Sequence, residues 1–305
     1  MRIIVTGGVG FIASHIVDAY VSKGHEVFVI DDLSTGKKEN LNPRATFHNM
    51  SLLDPGLPDL VFELSPDIVN HHAAQMDVRR SVDDPIFDAN TNILGFISLL
   101  EGCKKARVKK VIFASSGGAI YGEQEVFPAS EGHPKTPASP YGVSKLAGEH
   151  YLAYYQMTFD LPYLALRYSN VYGPRQNPEG EAGVVAIFIR RLLEGKPPTI
   201  NGDGKQTRDY VFVEDVVAAN VAALDSSYIG ALNIGTGKET DVITICRLLR
   251  EAMRSAVEPV HGPAKAGEQR RSCIDAARAK EVLGWTARTP LQEGLKKTAG
   301  SYHRG

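Results

Sequence analysis

The stretch "VTGGVGFIASH", Val5 to His15, constrains this chain more than any other. It follows a strand-like run, "RIIVT", and opens a helical pattern from Phe11 to Ser22. Glycine at such a junction lets the backbone turn tightly and meet a bound group with no side chain between. A helix starting there presents unpaired N–H groups and the positive end of its dipole, which together suit a phosphate. Gly7 and Gly10 stand where the backbone would approach a pyrophosphate. Ala13 takes the third place of the fingerprint, which governs close packing of helix on strand. A glycine fingerprint alone says little, but one set between a first strand and a first helix says much.

Strand-like and helix-like segments keep alternating: "EVFVI", "DIVNHHA", an amphipathic stretch from Pro85 to Ala106, "KKVIFASS", a helix opening near Ser139, then "LPYLALRYS". That order predicts an α/β chain, a Rossmann-type doubly wound parallel sheet with crossover helices. Right-handed crossovers bring the C-terminal ends of the strands, and any ligand, to one edge. Past Asn170 glycine and proline crowd into "NVYGPRQNPEGEAG" and the alternation loosens. We expect residues 1–169 to form a dinucleotide-binding domain, with a segment near 211–234 returning to it. Residues 170–305 should form mainly a smaller C-terminal substrate-binding lobe.

The second strand ends in "VFVIDDLSTG". Asp31 lies where an acid accepts hydrogen bonds from the adenosine ribose, and its charge would repel a 2′-phosphate, so NAD is preferred over NADP. Lys37 and Lys38 point the other way, but a solvated loop explains them. The net charge of −1, without a long run of one sign, argues against nucleic acid or an anionic membrane as partner. Cys103, Cys246 and Cys273 are scattered and read as reduced thiols of a cytoplasmic protein. The chain enters its first strand with no leader pattern, and no apolar run approaches the ~20 residues that span a bilayer. Adjacent His71 and His72 lack helical ligand spacing, so no metal is expected.

In "SPYGVSKLAGEHY" Ser139 is a good N-cap and Pro140 suits the first helical position. Tyr141 and Lys145, four apart, then share a face. A cation beside a phenol favours the phenolate, which makes Tyr141 a candidate base near neutral pH. Among 12 tyrosines such a pair arises readily by chance, so it gains weight only from its setting.

Thr6-Gly7-Gly8-Val9-Gly10-Phe11-Ile12-Ala13 and Tyr141 to Lys145 resemble the motifs of the extended short-chain dehydrogenase/reductase family. Further segments, in order over nearly the whole chain, sharpen the likeness: "HHAAQMDVRRSVDDP", "NTNILG", "FASSGGAIYGE", "RYSNVYGPRQ", "GDGKQTRDYVFVEDV", "NIGTG" and "LGW". Within the family they look most like bacterial and archaeal UDP-glucose 4-epimerases. The resemblance implies an acid/base role for Tyr141 on the sugar 4-hydroxyl, a nicotinamide-ribose contact and pKa-lowering role for Lys145, and a hydrogen bond from Ser116 to the same hydroxyl. Ser115 is the adjacent alternative.

It also implies NAD contacts from the glycine turn (Gly7, Gly10, Phe11, Ile12), the second strand end (Asp31, Asp32, Leu33, Ser34, Gly36), Ser51 and Leu52. Others would come from His72, Ala73, Ala74, Gln75, Asn92, Ala114, Ser115, Tyr168 and Val171, with Tyr141 and Lys145. A UDP-sugar would meet Ser116, Gly117, Gly118, Tyr141 and Asn170, then Gly183, Val184, Val185, Thr199, Asn201, Arg208, Lys265 and Glu268. Asn170 and Arg208 would take the pyrophosphate; the residues from Val184 to Asn201 would take uracil and ribose. Removing a proton and a hydride gives a 4-keto sugar, and returning hydride to its other face inverts the centre. A homodimer through the helices around Pro85–Ala106 and Tyr141–Phe159 is expected from the same likeness.

Departures from the pattern are informative. Lys265 and Glu268 replace an arginine and an aspartate; lysine keeps charge but loses the bidentate fork. Ser51 replaces an aspartate near the adenine, and Met76 a lysine near the phosphates. Ser272 stands where some narrow epimerases carry a tyrosine, which would admit an N-acetyl sugar. Related 4,6-dehydratases need an Asp-Glu pair after the serine or threonine; here Gly117 and Gly118 follow, and glycine offers no proton. Epimerisation or decarboxylation of a UDP-glucuronate would need a cation for the sugar carboxylate. A non-catalytic NAD-binding sensor would have no need of the Tyr–Lys pair.

Overall fold

Alternate residues of a strand face opposite sides, yet Ile3, Ile4 and Val5 are all fully buried. Ile3 and Val5 enter one core and Ile4 another, so the first strand is covered on both faces, as a parallel sheet between helix layers requires. The computed structural model describes residues 1–179, 183–265 and 269–302.

In chain order the strands are Arg2–Thr6 (β1), Glu26–Asp31 (β2), Thr46–Asn49 (β3), Ile68–His71 (β4), Lys110–Ser116 (β5), Tyr163–Tyr168 (β6), Asn170–Tyr172 (β7), Thr199–Asn201 (β8), Thr207–Phe212 (β9), Gly230–Ile234 (β10), Glu239–Asp241 (β11), Val260–Gly262 (β12) and Arg271–Ser272 (β13). The helices are Phe11–Ser22 (α1), Leu57–Leu64 (α2), Val78–Asp83 (α3), Pro85–Ala89 (α4), Gly95–Ala106 (α5), Pro140–Phe159 (α6), Val184–Leu193 (α7), Val213–Asp225 (α8), Val242–Met253 (α9), Ala277–Leu283 (α10) and Leu291–Tyr302 (α11).

Seven strands form one parallel sheet in the order β10-β6-β5-β4-β1-β2-β3. The chain moves outward from β1 to β2 and β3, then crosses to β4 on the other flank. The β1–β4 junction is therefore the topological switch point, where open α/β sheets hold their ligands. Side chains of α1 and α8 fill one face of the sheet; those of α2, α5 and α6 fill the other.

The amphipathic stretch from Pro85 to Ala106 is not one regular helix. A five-residue π-helical segment, Asn90–Leu94, separates α4 from α5. The wider turn brings Asn92 inward, where its amide bonds Gln75 N at 2.9 Å and Gln75 O at 2.8 Å.

The remaining strands are short. β9 carries β11 and β13 beside its first half and β7 beside its second, while β8 pairs with β12. Helices α7, α9 and α11 close a third core around Phe188, Phe212, Ile245, Leu249 and Leu295. β9 runs directly into α8, whose apolar face belongs to the first core, so one strand–helix unit joins both cores. Trp285 locks this junction by donating its indole N–H to Asp215 O at 2.8 Å. Among the described residues no helix is long and apolar enough to cross a membrane.

Candidate active site

β1 ends at Thr6, whose Oγ1 stands 2.7 Å from His71 Nδ1 and accepts the His72 and Ala73 N–H groups at 3.2 Å. That clamp draws β1 and β4 together across the switch point. Gly7 follows with φ +69°, and a methyl added there would stand 2.7 Å from Ala73 N. Only glycine fits both the backbone angle and the gap. Gly10 caps α1 in an extended conformation with no side-chain cap bond and no acidic residue in the first turn. The positive end of α1 thus opens on the edge where β1 and β4 finish.

Asp31, at the end of β2, is buried and accepts Val9 N–H at 3.2 Å and Leu33 N–H at 2.9 Å. Burial raises its pKa, against those two bonds. Gly36 lies against it: an added methyl would meet both carboxylate oxygens at 3.2 Å. Asp32 caps its own turn through Ser34 N–H and is exposed, as is Ser34. Ser51 accepts Leu53 N–H, and Leu52 is buried beneath Gly95. Lys37 pairs with Glu39 at 3.7 Å on the exposed loop. Met76 is 59 % exposed.

Ser139 does cap α6, accepting Gly142 N–H at 3.2 Å, with Pro140 in the first turn. Tyr141 and Lys145 share one face of α6, the lysine buried and the tyrosine half-buried, with the ammonium 5.8 Å from the phenol ring centre. One of its three donors bonds Ala114 O at 2.9 Å, which pins the head to the end of β5. The expected lowering of the phenol by this ammonium is not what the protein alone displays. Burial first, then the charge of Asp88, push Tyr141 up to about 12, while a hydrogen bond with Ser116 pulls it down. Burial likewise draws Lys145 down to about 8, against the raising effect of Asp88. A site closed from water disfavours both charges, and the lysine head is turned to the Ala114 carbonyl.

The two serines at the end of β5 separate by strand alternation. Ser116 reaches Tyr141, whereas Ser115 donates to Glu149 Oε1 at 2.6 Å inside the protein. Gly118 faces Ser116 and Asn170: an added methyl would stand 3.9 Å from Ser116 Oγ and 3.7 Å from Asn170 Oδ1. Gly117 packs on Ile274. His72 and Tyr168 stack and meet at 3.0 Å between Nε2 and the phenol oxygen. Burial holds His72 down at about 3, hence neutral, and leaves its Nδ1 without a partner.

In the second lobe, β9 sets Asn170 and Ser272 close to Arg208: Asn170 pairs with Tyr210, and Ser272 with Arg208. Val171 continues β7. Gly183 caps α7, so Val184 and Val185 open that helix. Thr199 and Asn201 bound β8, tied to the β9 approach by Gln206 Nε2 on Asn201 O at 3.3 Å. Lys265 is exposed just beyond β12; Glu268 lies outside the described residues.

Residues 3–235 match the NAD dependent epimerase/dehydratase family. The chain belongs to that family. Over 304 residues it is 46 % identical to a UDP-glucose 4-epimerase of Mycolicibacterium smegmatis, covering 98 % of this chain and 97 % of that one. It superposes on the UDP-glucose 4-epimerase of Thermotoga maritima, solved with UDP-glucose, with a TM-score of 0.98 and 48 % identity over 100 % of this chain and 99 % of the other. The Thermus thermophilus UDP-glucose 4-epimerase, solved with NAD, gives a TM-score of 0.95 at 43 % identity over 99 % of each chain.

The family's cofactor suits the residues present: a backbone cradle at Gly7, an open helix N-terminus, a carboxylate at the end of β2 and the neutral His72 with a spare ring nitrogen. Sequence reasoning missed three residues that shape this site. Ser81 Oγ accepts Tyr141 N–H at 3.2 Å. Glu149, eight residues after Tyr141 on the same helix face, forms a buried ion pair with Arg167 at 2.6 Å. Asp88 is fully buried one helical turn before Asn92. The i, i+4 spacings of Tyr141–Lys145–Glu149 and Asp88–Asn92 were the available signal: polar residues repeating on one face.

Proposed function

We propose that this chain interconverts UDP-glucose and UDP-galactose by NAD-dependent epimerisation at C4 through a transient 4-keto sugar. The observation that carries this reading is the convergence of Ser116, Tyr141 and Lys145 at the carboxyl edge of the sheet beside the switch point, followed by Gly117 and Gly118. The Ser116 hydroxyl acts on the Tyr141 phenol, so a sugar hydroxyl entering there would be held by both oxygens. Tyr141 takes the hydroxyl proton and later returns it. Lys145, fixed by Ala114 O, has further N–H groups for the nicotinamide ribose. NAD, when bound, supplies the hydride acceptor for C4 and, in its oxidised form, a positive ring. A positive charge brought near a phenol raised to about 12 would favour its ionisation. Gly117 and Gly118, which follow Ser116, offer no proton for elimination of water.

In the same reading, residues 1–169 with the returning 211–234 segment hold the dinucleotide, and 170–305 hold the nucleotide sugar. Gly7, Gly10 and Asp31 would seat the dinucleotide, and Asn170 and Arg208 the sugar's pyrophosphate, so that the keto sugar turns while its nucleotide stays anchored. A homodimer belongs to the proposal too. Ile86 (73 % exposed), Leu94 (55 %) and, on α6, Met157 (77 %), with Val143 and Tyr154, present apolar surface to water. The cytoplasm suits three buried thiols with no disulfide.

The purified protein with NAD should convert UDP-glucose to UDP-galactose, and Tyr141→Phe should abolish this; sole turnover of UDP-glucuronate would overturn the sugar assignment. Ser272 favours a second activity. It is small, buried and paired beside Arg208, so some epimerisation of UDP-N-acetylglucosamine is expected. Complete inertness of active enzyme toward that sugar would count against the wider site.

A further inference from the structure

Asp88 is fully buried in α4, and its carboxylate is bonded to neutral donors. Gln75 Nε2 and Asn92 Nδ2 each reach Oδ1 at 3.0 Å, and Ser144 Oγ reaches Oδ2 at 2.6 Å. Ser144 is the residue before Lys145, so this acid grips the very turn that carries the Tyr–Lys pair. The Asp88 carboxylate lies away from water, so the field of its charge reaches the nearest titratable side chains weakly screened.

Those side chains are known from each element packed against it. From α6 come Tyr141 and Lys145, both of which feel the Asp88 charge. From the end of β4, His71 and His72 face Lys145 and are kept neutral by burial. α3 turns the hydroxyl of Ser81 inward, while Arg79, Arg80 and Asp83 are exposed. The Asp77 carboxylate is taken up as the cap of α3.

We propose that Asp88 is a positioning residue of the reaction: its buried carboxylate keeps the Lys145 ammonium charged and, through Ser144, fixes the turn of α6 between Tyr141 and Lys145. This rests on the roles given above to Tyr141 and Lys145. The sign follows from the charges. Lys145 is already drawn down to about 8, and Asp88 opposes that fall. Without the anion, the lysine loses its proton at lower pH, and activity that needs the ammonium fails earlier as pH rises.

Asp88→Asn isolates the charge. The amide oxygen keeps the Gln75 and Asn92 bonds, and the amide nitrogen donates to Ser144 Oγ, whose hydroxyl can turn to accept. Two readouts apply to the purified full chain: kcat against pH, and the rate at which acetic anhydride acylates the Lys145 amine, measured on its peptide. The alkaline limb of kcat should move acid by about one pH unit, the size of a single nearby charge, and acylation at neutral pH should rise several-fold. An unmoved limb with unchanged acylation overturns the proposal. So does an equal movement in Ser144→Ala, which loses a bond and keeps the charge. Should Asp88→Asn fail to fold, Asp88→Ser carries the same two measurements. Wild-type turnover in Tyr141→Phe would defeat the parent reading, while acylation still reports on Asp88. Loss of turnover there, with Asp88→Asn titrating like wild type, would defeat this inference alone.

Discussion

The half of the molecule that carries Tyr141 and the half that carries Arg208 are built differently. The first is one seven-stranded parallel sheet buried on both faces, with its polar ligand-facing groups at strand ends held by neighbours on either side. The second is assembled from strands of two to six residues in two small sheets around one core. The contrast teaches where geometric precision is concentrated. The proposed proton transfer from the C4 hydroxyl would need Ser116, Tyr141 and Lys145 held in close register, and the large sheet would supply that. Holding a nucleotide while its sugar turns demands less rigidity at each contact and more contacts.

Breaking the first half should therefore cost rate, and breaking the second should cost affinity. Tyr141→Phe would remove the proposed proton acceptor; kcat should fall about 10²- to 10⁴-fold with the KM for UDP-glucose little changed, read by steady-state kinetics. A large rise in KM instead would erase the distinction. Next comes Arg167→Met. Arg167 and Glu149 are 4 % and 9 % exposed at their side chains, and the guanidinium also donates to Tyr121 OH at 2.9 Å. An unpaired Glu149, buried between α6 and the sheet, should lower unfolding stability by about 3–5 kcal/mol in a denaturant titration. Gly7→Ala strains a left-handed backbone and meets Ala73 at 2.7 Å. We expect a loss of about 1–2 kcal/mol in unfolding stability by denaturant titration, with weaker NAD binding by calorimetry. The smallest effect tests the second lobe: Arg208→Lys keeps charge and loses the fork, so KM for UDP-glucose should rise roughly tenfold while kcat holds. If kcat fell as much, the two halves would not divide the work.

Much of the first half was legible because it is local. The strand–glycine–helix opening, the capped start of α6 and the shared face of Tyr141 and Lys145 follow from near-neighbour rules, and each stands where those rules put it. The stretch from Pro85 to Ala106 read as amphipathic, with no break marked, because its apolar spacing is nearly regular. The π-helical turn inside it answers to Gln75 and Asp88, partners distant in sequence or turned inward. Ser116 was preferred to its neighbour Ser115 on the family likeness alone, because adjacent identical residues carry no further signal. In the fold Glu149 claims Ser115 from a neighbouring helix.

Periodicity and turn chemistry in the sequence determined the doubly wound sheet, the dinucleotide cradle and the pairing of phenol with ammonium, since each depends on residues within a few positions of one another. Tertiary structure alone decided the charge environment of that pair. Burial drives both groups toward neutrality, and Asp88, brought in from another helix, opposes the loss of charge on Lys145. Electrostatic energy depends on distance through the folded interior and on the exclusion of water, and neither is written in the order of residues.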